Sequence, residues 1–324
     1  MRRYLTARLL QAVGVVLMVT TLTFLLIHLA PGDPLATALD RPGVTESVRQ
    51  RWREDFGLDR PIGEQYVRWV ANVARGDFGY SFSHRRPVHD VLADALPRTL
   101  TLVGLALVLS FALGITVGVL QAERAGTARD RWLGRGLLLL YSVPDFWLAL
   151  LALLLFAYRL PILPAGGMVD PVMHDYMSLG GRVVDRLAHL VLPVVTLTLL
   201  TSAIIARHQR TSLLNVLPSD WMRTALAKGL SWRAAVRRHA LRNAMLSTIT
   251  LAGLSLPALA AGAIFVEKVF AFPGMGLVTV NAIGARDYPL ITSGVLVISV
   301  MVALGALAAD LAVAAADPRV RLDG

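Results

Sequence analysis

The stretch Asp220-Trp-Met-Arg-Thr-Ala-Leu-Ala-Lys-Gly-Leu-Ser-Trp-Arg-Ala-Ala-Val-Arg-Arg-His-Ala-Leu-Arg-Asn-Ala244 decides the fold, because it interrupts an otherwise strongly apolar chain. It belongs to a polar segment, residues 207–245, between two apolar runs. Asp220 can cap a helix by accepting a backbone N–H in its first turn. Gly229 favours a left-handed helix end, and Ser231 can cap a second helix. The stretch therefore predicts two short helices that meet at a glycine corner.

Like charges crowd the second of these helices. The pairs Arg233/Arg237 and Arg238/Arg242 are four residues apart, and each such pair destabilises an isolated helix by roughly a few tenths of a kcal/mol. The crowding predicts an acidic group outside this chain that compensates the arginines. A basic loop that rests on anionic lipid headgroups is the alternative, and the spacing alone does not separate the two.

The composition is typical of a membrane protein. Hydrophobic residues make up 55% of the 324 residues and charged residues 17%, so the apolar surface exceeds what a soluble core can bury. The chain has no cysteine, which excludes disulfides, thiolate metal sites and a cysteine nucleophile. The net charge of +10 could indicate a nucleic-acid partner, so its distribution along the chain has to be considered.

Six apolar runs are long enough to cross about 30 Å of hydrocarbon, which takes roughly 20 residues each. They are residues 9–27, 99–122, 136–158, 187–206, 243–266 and 290–314. We interpret the first run as a retained helix rather than a secretory signal, because Pro31-Gly-Asp-Pro34 does not resemble a small-residue cleavage site. The prediction is an all-α polytopic membrane protein with six transmembrane helices.

Lysine and arginine are distributed unevenly between the two sides of such a bundle. With the N-terminus inside, the inner segments hold 17 basic and five acidic residues, a net charge of +12. These inner segments are residues 1–8, 122–135, 207–245 and 315–324. The outer segments, which carry no net charge, are residues 30–98, 159–186 and 267–289. Because positively charged loops stay in the cytosol, both termini are predicted to be cytosolic, and the charge requires no nucleic acid.

Residues 30–98 form the largest outer segment. Helical periodicity is present in residues 44–57 and again in residues 64–74. Tyr66 and Trp69 belong to an apolar stripe on the second of these helices. We interpret the stripe as a packing surface against the membrane helices or an interface, rather than as a ligand site.

The polar stretch resembles the loop of binding-protein-dependent ABC importer permeases. The general pattern of that loop is Glu-Ala-Ala, three residues, Gly, nine residues, Ile-x-Leu-Pro. Its positions are occupied here by Arg223, Thr224, Ala225, Gly229, His239, Leu241 and Arg242. Several of these depart from the general pattern, but the stretch is similar to the variant of the dipeptide/oligopeptide/nickel branch.

Three further regions are similar to the same branch, in the same order along the chain. They are His28-Leu-Ala-Pro-Gly-Asp-Pro34, then Phe272-Pro-Gly-Met-Gly276 with Arg286-Asp-Tyr-Pro289, and the tail Asp317-Pro-Arg319. The resemblance implies a type I ABC importer transmembrane domain in residues 97–316, with a cytosolic coupling loop in residues 207–245. Residues 1–96 would be an N-terminal transmembrane helix plus an extracytoplasmic helical segment.

The resemblance also implies the function and the partners. The chain would be a multi-pass permease of the bacterial inner membrane and form half of a pathway for di- or oligopeptides. A homologous second permease, two ABC ATPase subunits, an extracytoplasmic binding protein and membrane lipid would surround it. ATP and Mg²⁺ would be bound by the ATPase subunits and no cofactor by this chain. Nickel chelates and glutathione are alternative substrates.

In such importers a short helix of the coupling loop docks in a groove of the ATPase. Residues 220–229 would be that helix here, with Trp221, Met222, Ala225 and Leu226 as its apolar face. Arg223 and Lys228 would meet carboxylates of the ATPase. The coupling residues implied are Asp220, Trp221, Met222, Arg223, Thr224, Ala225, Leu226, Ala227, Lys228, Gly229 and Leu230.

Two acidic residues, Asp145 and Asp310, lie inside the predicted spans, where a charge is unfavourable and is often functional. Pro144 bends the third span and frees a carbonyl, so Pro144, Asp145 and Phe146 are candidates to line the pathway. The resembled branch more often has serine where Asp145 stands. Asp145 could meet a cationic group of the substrate or form an interhelical hydrogen bond, and we favour the hydrogen bond. Asp310 is expected to pair with a basic residue near the inner interface.

The outer segment 267–289 is rich in turn-forming residues and could be a plain linker. In the resembled family this region faces the substrate-binding protein and closes the outer mouth, and we favour that interpretation. The residues concerned are Phe272, Pro273, Gly274, Met275, Gly276, Arg286, Asp287 and Tyr288.

The sequence excludes ATP hydrolysis by this chain. A P-loop needs Gly-Lys-[Ser/Thr], but Lys228 and Lys268 are followed by Gly229 and Val269. No metalloprotease or serine-hydrolase motif is present, and no His/Asp/Glu cluster has metal-ligand spacing. We therefore predict a non-catalytic subunit. A secondary transporter or channel is the alternative, although it would not need the coupling loop; an intramembrane enzyme would need a nucleophile–base pair, and none stands out.

Overall fold

The computed structural model describes residues 2–29, 50, 59–255 and 263–316, which are almost entirely helical. Helix α1 is Arg2–Leu29 and α2 is Ile62–Ala74. A two-stranded antiparallel hairpin follows, with β1 at Tyr80–Ser81 and β2 at Arg86–Pro87, Tyr80 lying opposite Pro87.

The remaining helices follow in order. They are α3 (Val88–Glu123), α4 (Ala128–Ser142), α5 (Asp145–Leu153), α6 (Leu179–Val216), α7 (Asp220–Ala227), α8 (Trp232–Ala235), α9 (Leu241–Ser255), α10 (Ile264–Val269), α11 (Met275–Ala285) and α12 (Tyr288–Ala316). Shorter turns are π-helical at Leu154–Arg159 and Val236–Ala240, and 3₁₀ at His174–Tyr176.

The predicted helical membrane fold is confirmed. Within the part of the chain that the structure describes, four helices are long and apolar enough to span a membrane: Thr6–Leu29 of α1, the whole of α3 and α6, and Tyr288–Leu311 of α12. Helix α4 and the run Asp145–Arg159, which is α5 with the π-helical turn after it, make a fifth span if the bent pair is counted as one. The other predicted span, residues 243–266, includes residues 256–262, which lie outside the described residues, as do the predicted helix at 44–57 and the tail motif at 317–319.

The third predicted span is broken rather than simply bent. Helix α4 ends at Ser142 and α5 begins at Asp145, with an angle of 98° between them. Val143 and Pro144 have extended backbone between the two helices. Proline lacks an N–H and disfavours helical geometry at the residue before it, so both residues leave the helix.

Helices α3 and α6 pack closely along their length and form the centre of the described bundle. Two glycines of α3 permit this approach. A Cβ on Gly114 would lie 2.7 Å from the Cβ of Ile205, and a Cβ on Gly118 would lie 2.6 Å from the carbonyl oxygen of Ala206. Small residues four apart let helix backbones come close in a membrane, so α3 and α6 are expected to move as one body. The predicted domain boundary at residues 96/97 lies inside α3.

Segments predicted to share a side of the membrane meet at the same end of the bundle. At the end that carries α7, residues 122–135 contact residues 207–245 through two ion pairs. At the opposite end, residues 267–289 contact residues 30–98 and residues 159–186 through hydrogen bonds. We call these the α7 end and the opposite end. Which end faces the cytosol stays a prediction.

The N-terminal helix packs on the last helix, and α2 packs on α1. Tyr66 and Trp69 of α2 lie 5.3 Å and 5.8 Å from the ring of Phe24 between centroids, and the Tyr66 and Thr21 hydroxyls are 2.6 Å apart. The predicted packing stripe is therefore confirmed. Arg8 pairs with Asp310 at 3.1 Å, which confirms the basic partner predicted for Asp310.

Candidate functional site

Helix α7 ends in the glycine corner that the sequence predicts. Gly229 has a left-handed backbone with φ of +84°. Its N–H donates to the carbonyl of Leu226 at 2.9 Å, and the N–H of Leu230 donates to the carbonyl of Ala225 at 3.3 Å. These two bonds are the Schellman arrangement, which satisfies carbonyls that the helix end would otherwise leave unpaired. Asp220 is already the first helical residue, so its predicted capping role is wrong, and Ser219 occupies the capping position.

Ser231 caps the second helix as predicted, since its hydroxyl accepts a hydrogen bond from the N–H of Ala234 at 3.4 Å. This second helix is only one turn long. It continues through the π-helical turn Val236–Ala240 into α9. The corner at Gly229 therefore sets the direction in which the chain returns to the membrane-spanning bundle.

One face of α7 is buried in this chain. Met222 is 0% exposed and Ala225 7% exposed. Both belong to an apolar cluster with Val119 of α3 and Leu213 of α6. The prediction that all four apolar residues of α7 face a partner is therefore wrong for these two, because a helix that hangs from the bundle must bury one face to be held there.

The other face of α7 is open to a partner. Trp221 is 38% exposed and Leu226 37% exposed. The remaining exposed residues of this face are Asp220, Arg223, Thr224, Ala227 and Lys228. Arg223 pairs with Asp220 at 3.5 Å, but both side chains are largely exposed, so this ion pair stabilises the helix little. Trp232, at 41% exposure, extends the surface, and the sequence reasoning missed it although it directly follows the Ser231 cap.

Two ion pairs tie this site to the bundle. Arg237 Nε lies 2.9 Å from Glu123 Oε1, and the Glu123 side chain is only 4% exposed. Arg210 contacts both carboxylate oxygens of Asp130 at 2.9 Å and 2.8 Å. The acid that compensates Arg237 is therefore inside this chain, which corrects the expectation of an acid outside it for that residue. Among the described residues, Arg233 and Arg238 have no ion-pair partner.

The candidate pathway residues lie together at the break between α4 and α5. Pro144 and Phe146 are exposed and Asp145 is half-buried. The Asp145 carboxylate accepts a hydrogen bond from the N–H of Phe146 at 2.8 Å. This bond lies within one helix and is not the interhelical hydrogen bond that we favoured from the sequence. The ring of Phe146 lies 6.4 Å from that of Phe265, which is also exposed.

Most of the candidate residues at the opposite end are packed inside the chain. Phe272, Gly274, Met275 and Gly276 are buried and Pro273 is half-buried. Gly274 and Gly276 pack against Glu267, which is fully buried. Sequence reasoning missed Glu267 and its partner Thr99, although an acidic residue five positions before the Phe-Pro-Gly turn could have indicated such a contact.

Asp287 is also buried, at the start of α12. It accepts hydrogen bonds from the Ser81 hydroxyl at 2.6 Å and from the Ser83 N–H and hydroxyl at 2.9 Å and 2.7 Å. It also caps α12 by accepting the N–H of Leu290 at 3.3 Å. Of the three residues 286–288, Arg286 is exposed and Tyr288 half-buried, so these two remain accessible at the surface.

Comparison with known families shows to which family the chain belongs. The model of the binding-protein-dependent transport system inner membrane component matches residues 114–322, and the N-terminal model of the same components matches residues 1–103. The chain belongs to this family. The resemblance predicted from the coupling loop is confirmed, and the protein is a multi-pass component of a bacterial inner membrane.

Curated relatives cover this permease from end to end. It is 38% identical over 324 residues to a putative peptide permease protein of Brucella ovis, which covers 99% of this chain and 100% of that one. It is 33% identical over 321 residues to the oligopeptide transport system permease protein AppB of Bacillus subtilis, and 34% identical over 336 residues to the dipeptide transport system permease protein DppB of Escherichia coli. Each of these two alignments covers 99% of both chains.

A solved structure shares the fold of this permease. The match is to the MetNI methionine ABC transporter in inward facing conformations, with a TM-score of 0.55 and 20% sequence identity. It covers 70% of this chain and 96% of the matched chain. The likeness confirms the predicted importer transmembrane-domain fold.

Proposed function

We propose that this permease is one half of the translocation pathway of an ATP-driven importer for di- or oligopeptides. The observation that carries the proposal is α7, which is held by Met222 and Ala225 on one face and exposes Trp221 and Leu226 on the other. Peptides as the solute are supported by relatives named as peptide, oligopeptide and dipeptide permeases. The chain itself is proposed to be non-catalytic.

The exposed face of α7 is proposed to dock in a groove of an ATPase subunit. Trp221 and Leu226 would enter the groove, and Arg223 and Lys228 would meet carboxylates at its rim. A docked helix transmits movement only if it cannot roll against its own chain. The buried Met222, the left-handed Gly229 and the Arg237–Glu123 pair all restrain α7 in this way.

The other proposed partners are supported by membership of the binding-protein-dependent transport family. Two ATPase subunits would bind ATP and Mg²⁺, and a homologous second permease would complete the pathway within the lipid bilayer. An extracytoplasmic binding protein would deliver the solute at the opposite end, where Arg286 and Tyr288 are accessible. In this proposal the α7 end is cytosolic, residues 1–96 supply the outer helical segment, and residues 97–316 supply the transport domain.

The break at Pro144 is proposed to face the pathway. Asp145 lies at the tenth position of the 23-residue apolar run 136–158 and is half-buried in the isolated chain. A carboxylate is unfavourable against hydrocarbon, so it is expected to face water or another protein surface. Phe146, exposed beside it, would line the same surface.

The docking proposal is tested with the complete importer. Arg223→Glu combined with Lys228→Glu reverses two exposed charges on α7. We expect capture of the ATPase by the tagged permease to fall at least tenfold, because like charges would meet at the rim. Arg75→Glu combined with Arg85→Glu makes the same change on exposed residues of the opposite end and serves as the control. Undiminished capture and uptake with the α7 variant would refute docking at this helix.

The solute is tested on the binding protein that works with this permease. Thermal-shift measurements with dipeptides, longer peptides, glutathione and nickel chelates separate the candidates. We expect stabilisation by peptides. Stabilisation by glutathione or a nickel chelate alone would refute the peptide assignment without affecting the docking proposal.

A further inference from the structure

A buried hydrogen-bond node joins α3 to the turn that precedes α11. The Thr99 hydroxyl donates to Glu267 Oε1 at 2.8 Å and accepts from the N–H of Met275 at 2.7 Å. Glu267 Oε2 accepts from the N–H of Leu277 at 3.0 Å. Thr99 and Glu267 are both fully buried. We call Thr99, Glu267 and the two backbone N–H groups the Thr99 node.

Two glycines close the turn around this node. A Cβ on Gly274 would lie 2.6 Å from the Glu267 carboxylate carbon, and a Cβ on Gly276 would lie 2.8 Å from the Cα of Ile264. No side chain fits at either position without displacing the backbone or the carboxylate. Segment 272–277 is therefore held against α3 by hydrogen bonds and by close packing together.

The same helix reaches α7 at its other end. Val119 and Ala122 of α3 pack in the cluster that buries Met222, and Glu123 pairs with Arg237. From Thr99 to Glu123 the helix is roughly 36 Å long at 1.5 Å per residue. One helix thus contacts the proposed docking helix at one end and the Thr99 node at the other.

Helix α3 does not act alone, because α6 packs against it at Gly114 and Gly118. Helix α6 leads within a few residues into α7, and its Leu213 packs against Met222. A movement of α7 therefore reaches both helices together. Packed helices move as rigid bodies more readily than they deform.

We propose that Thr99 and Glu267 are positioning residues for transport. They fasten segment 272–277 to α3, so that a displacement that begins at α7 moves this segment together with the α3–α6 pair. Without the node, the two ends of the pathway would respond separately. The proposal rests on the proposed function, since it takes the ATPase to act at α7.

The first test measures movement at the opposite end. In this cysteine-free chain, Arg286→Cys carries a bimane fluorophore, attached before the ATPase subunits are added. Arg286 ends the α11 that begins in segment 272–277, so its fluorescence reports on that segment. Trapping the importer with ATP and vanadate is expected to change the bimane emission in the Arg286→Cys importer.

The decisive variants are Thr99→Val and Thr99→Ser. Valine has nearly the shape of threonine but removes both hydrogen bonds of the hydroxyl, whereas serine keeps the hydroxyl. We expect Thr99→Val to reduce the emission change at least threefold while capture of the ATPase and basal ATP hydrolysis stay within twofold. Thr99→Ser should keep most of the emission change. An unaltered emission change in Thr99→Val would overturn the proposal.

A second variant decides the matter if Thr99→Val does not assemble. Arg98 Nη1 lies 3.5 Å from the carbonyl oxygen of Pro273, so Arg98→Cys and Pro273→Cys can be joined by a bifunctional thiol reagent about as long as an arginine side chain. Because the two residues are proposed to move together, the joined importer should keep ATP-driven uptake within twofold of the unjoined one. Loss of uptake on joining would mean that the segment must separate from α3, which contradicts the proposal. Failure of the proposed function would appear instead as lost ATPase capture by the wild-type permease.

Discussion

Helix α7 at one end of this permease and the residues Glu267 and Asp287 at the opposite end differ in how far their ionisable side chains are buried. At the α7 end, Arg223 and Lys228 are exposed on a short helix. At the opposite end, Glu267 and Asp287 are fully buried and each accepts at least two hydrogen bonds from hydroxyl and N–H groups. The exposed cations of α7 can meet a partner, whereas the hydrogen-bonded carboxyl groups of Glu267 and Asp287 hold segments of this chain together. The sequence pattern alone suggested partner-facing roles for both ends.

The largest difference between the two ends is expected in the side of the membrane that each end faces. Thr211 is exposed at the α7 end and Arg75 at the opposite end. With Thr211→Cys and Arg75→Cys made separately, an impermeant maleimide should label only the Arg75→Cys chain in intact cells, because the positively charged loops are predicted to be cytosolic. Both should be labelled after permeabilisation. Labelling of Thr211→Cys alone in intact cells would reverse the orientation.

Valine substitutions at Gly274 and at Gly229 should have effects of different size, because one is opposed by a steric clash and the other by backbone strain. A Cβ at Gly274 collides with the Glu267 carboxylate, whereas a Cβ at Gly229 has nothing within 4 Å and meets only its left-handed φ of +84°. Gly274→Val should therefore destabilise the fold by up to about 3 kcal/mol. Gly229→Val should add roughly 1 kcal/mol of strain, keep the spans inserted and weaken ATPase capture. The yield of monodisperse protein in size-exclusion chromatography distinguishes them, and equal yields would contradict the steric assignment.

Alanine substitutions of one aspartate at each end should differ by a smaller amount, in the Tm of the protein. Asp287→Ala removes the acceptor for the buried Ser81 hydroxyl and for the more exposed Ser83, and a buried donor left unpaired costs about 1–3 kcal/mol. Asp220→Ala changes a side chain that is almost fully exposed. We expect a clearly lower Tm for Asp287→Ala and an unchanged Tm for Asp220→Ala. A fall in Tm of the same size in both variants would contradict a structural role for Asp287 that Asp220 lacks.

The smallest effect is expected at the break between the two ends. Asp145→Asn keeps a hydrogen-bond acceptor for the N–H of Phe146 and removes the charge. Since ATP is proposed to drive transport, uptake should stay within a fewfold of wild type. Uptake by Asp310→Asn, which breaks the ion pair with Arg8, is measured for comparison, because that variant also loses an acidic side chain within a span. Abolished uptake with normal assembly of Asp145→Asn would show that its charge is required.

Local signals in the sequence were reliable where the nearest neighbours along the chain decide the structure. Gly229 adopts the left-handed corner and Ser231 caps the next helix, because both features depend on residues within one turn. The apolar runs likewise predicted the long helices, because a helix that spans a bilayer needs about 20 consecutive and largely apolar residues. Asp220 was misplaced by one position, because Ser219 precedes it and can also occupy a cap.

Local signals in the sequence did not predict which side chains are buried. Met222 and Trp221 are neighbours of similar hydrophobicity, yet one is fully buried and the other is exposed, because only Met222 points toward Val119 and Leu213. Glu123 and Arg237 are 114 positions apart in the chain, and nothing in their spacing predicted the ion pair. The break at Pro144 was predicted as a bend, but its angle of 98° depends on how α4 and α5 pack separately on the bundle.

The sequence by itself determined the family, the helical membrane class, the uneven charge of the two sides and the glycine corner of α7. All four follow from composition or from residues close together along the chain. Only the tertiary structure decided which face of α7 is free, that Phe272–Gly276 packs around a buried carboxylate, and that α3 connects the two ends. Those features depend on contacts between residues far apart in sequence, such as Thr99 with Glu267, which form only once the helices are packed.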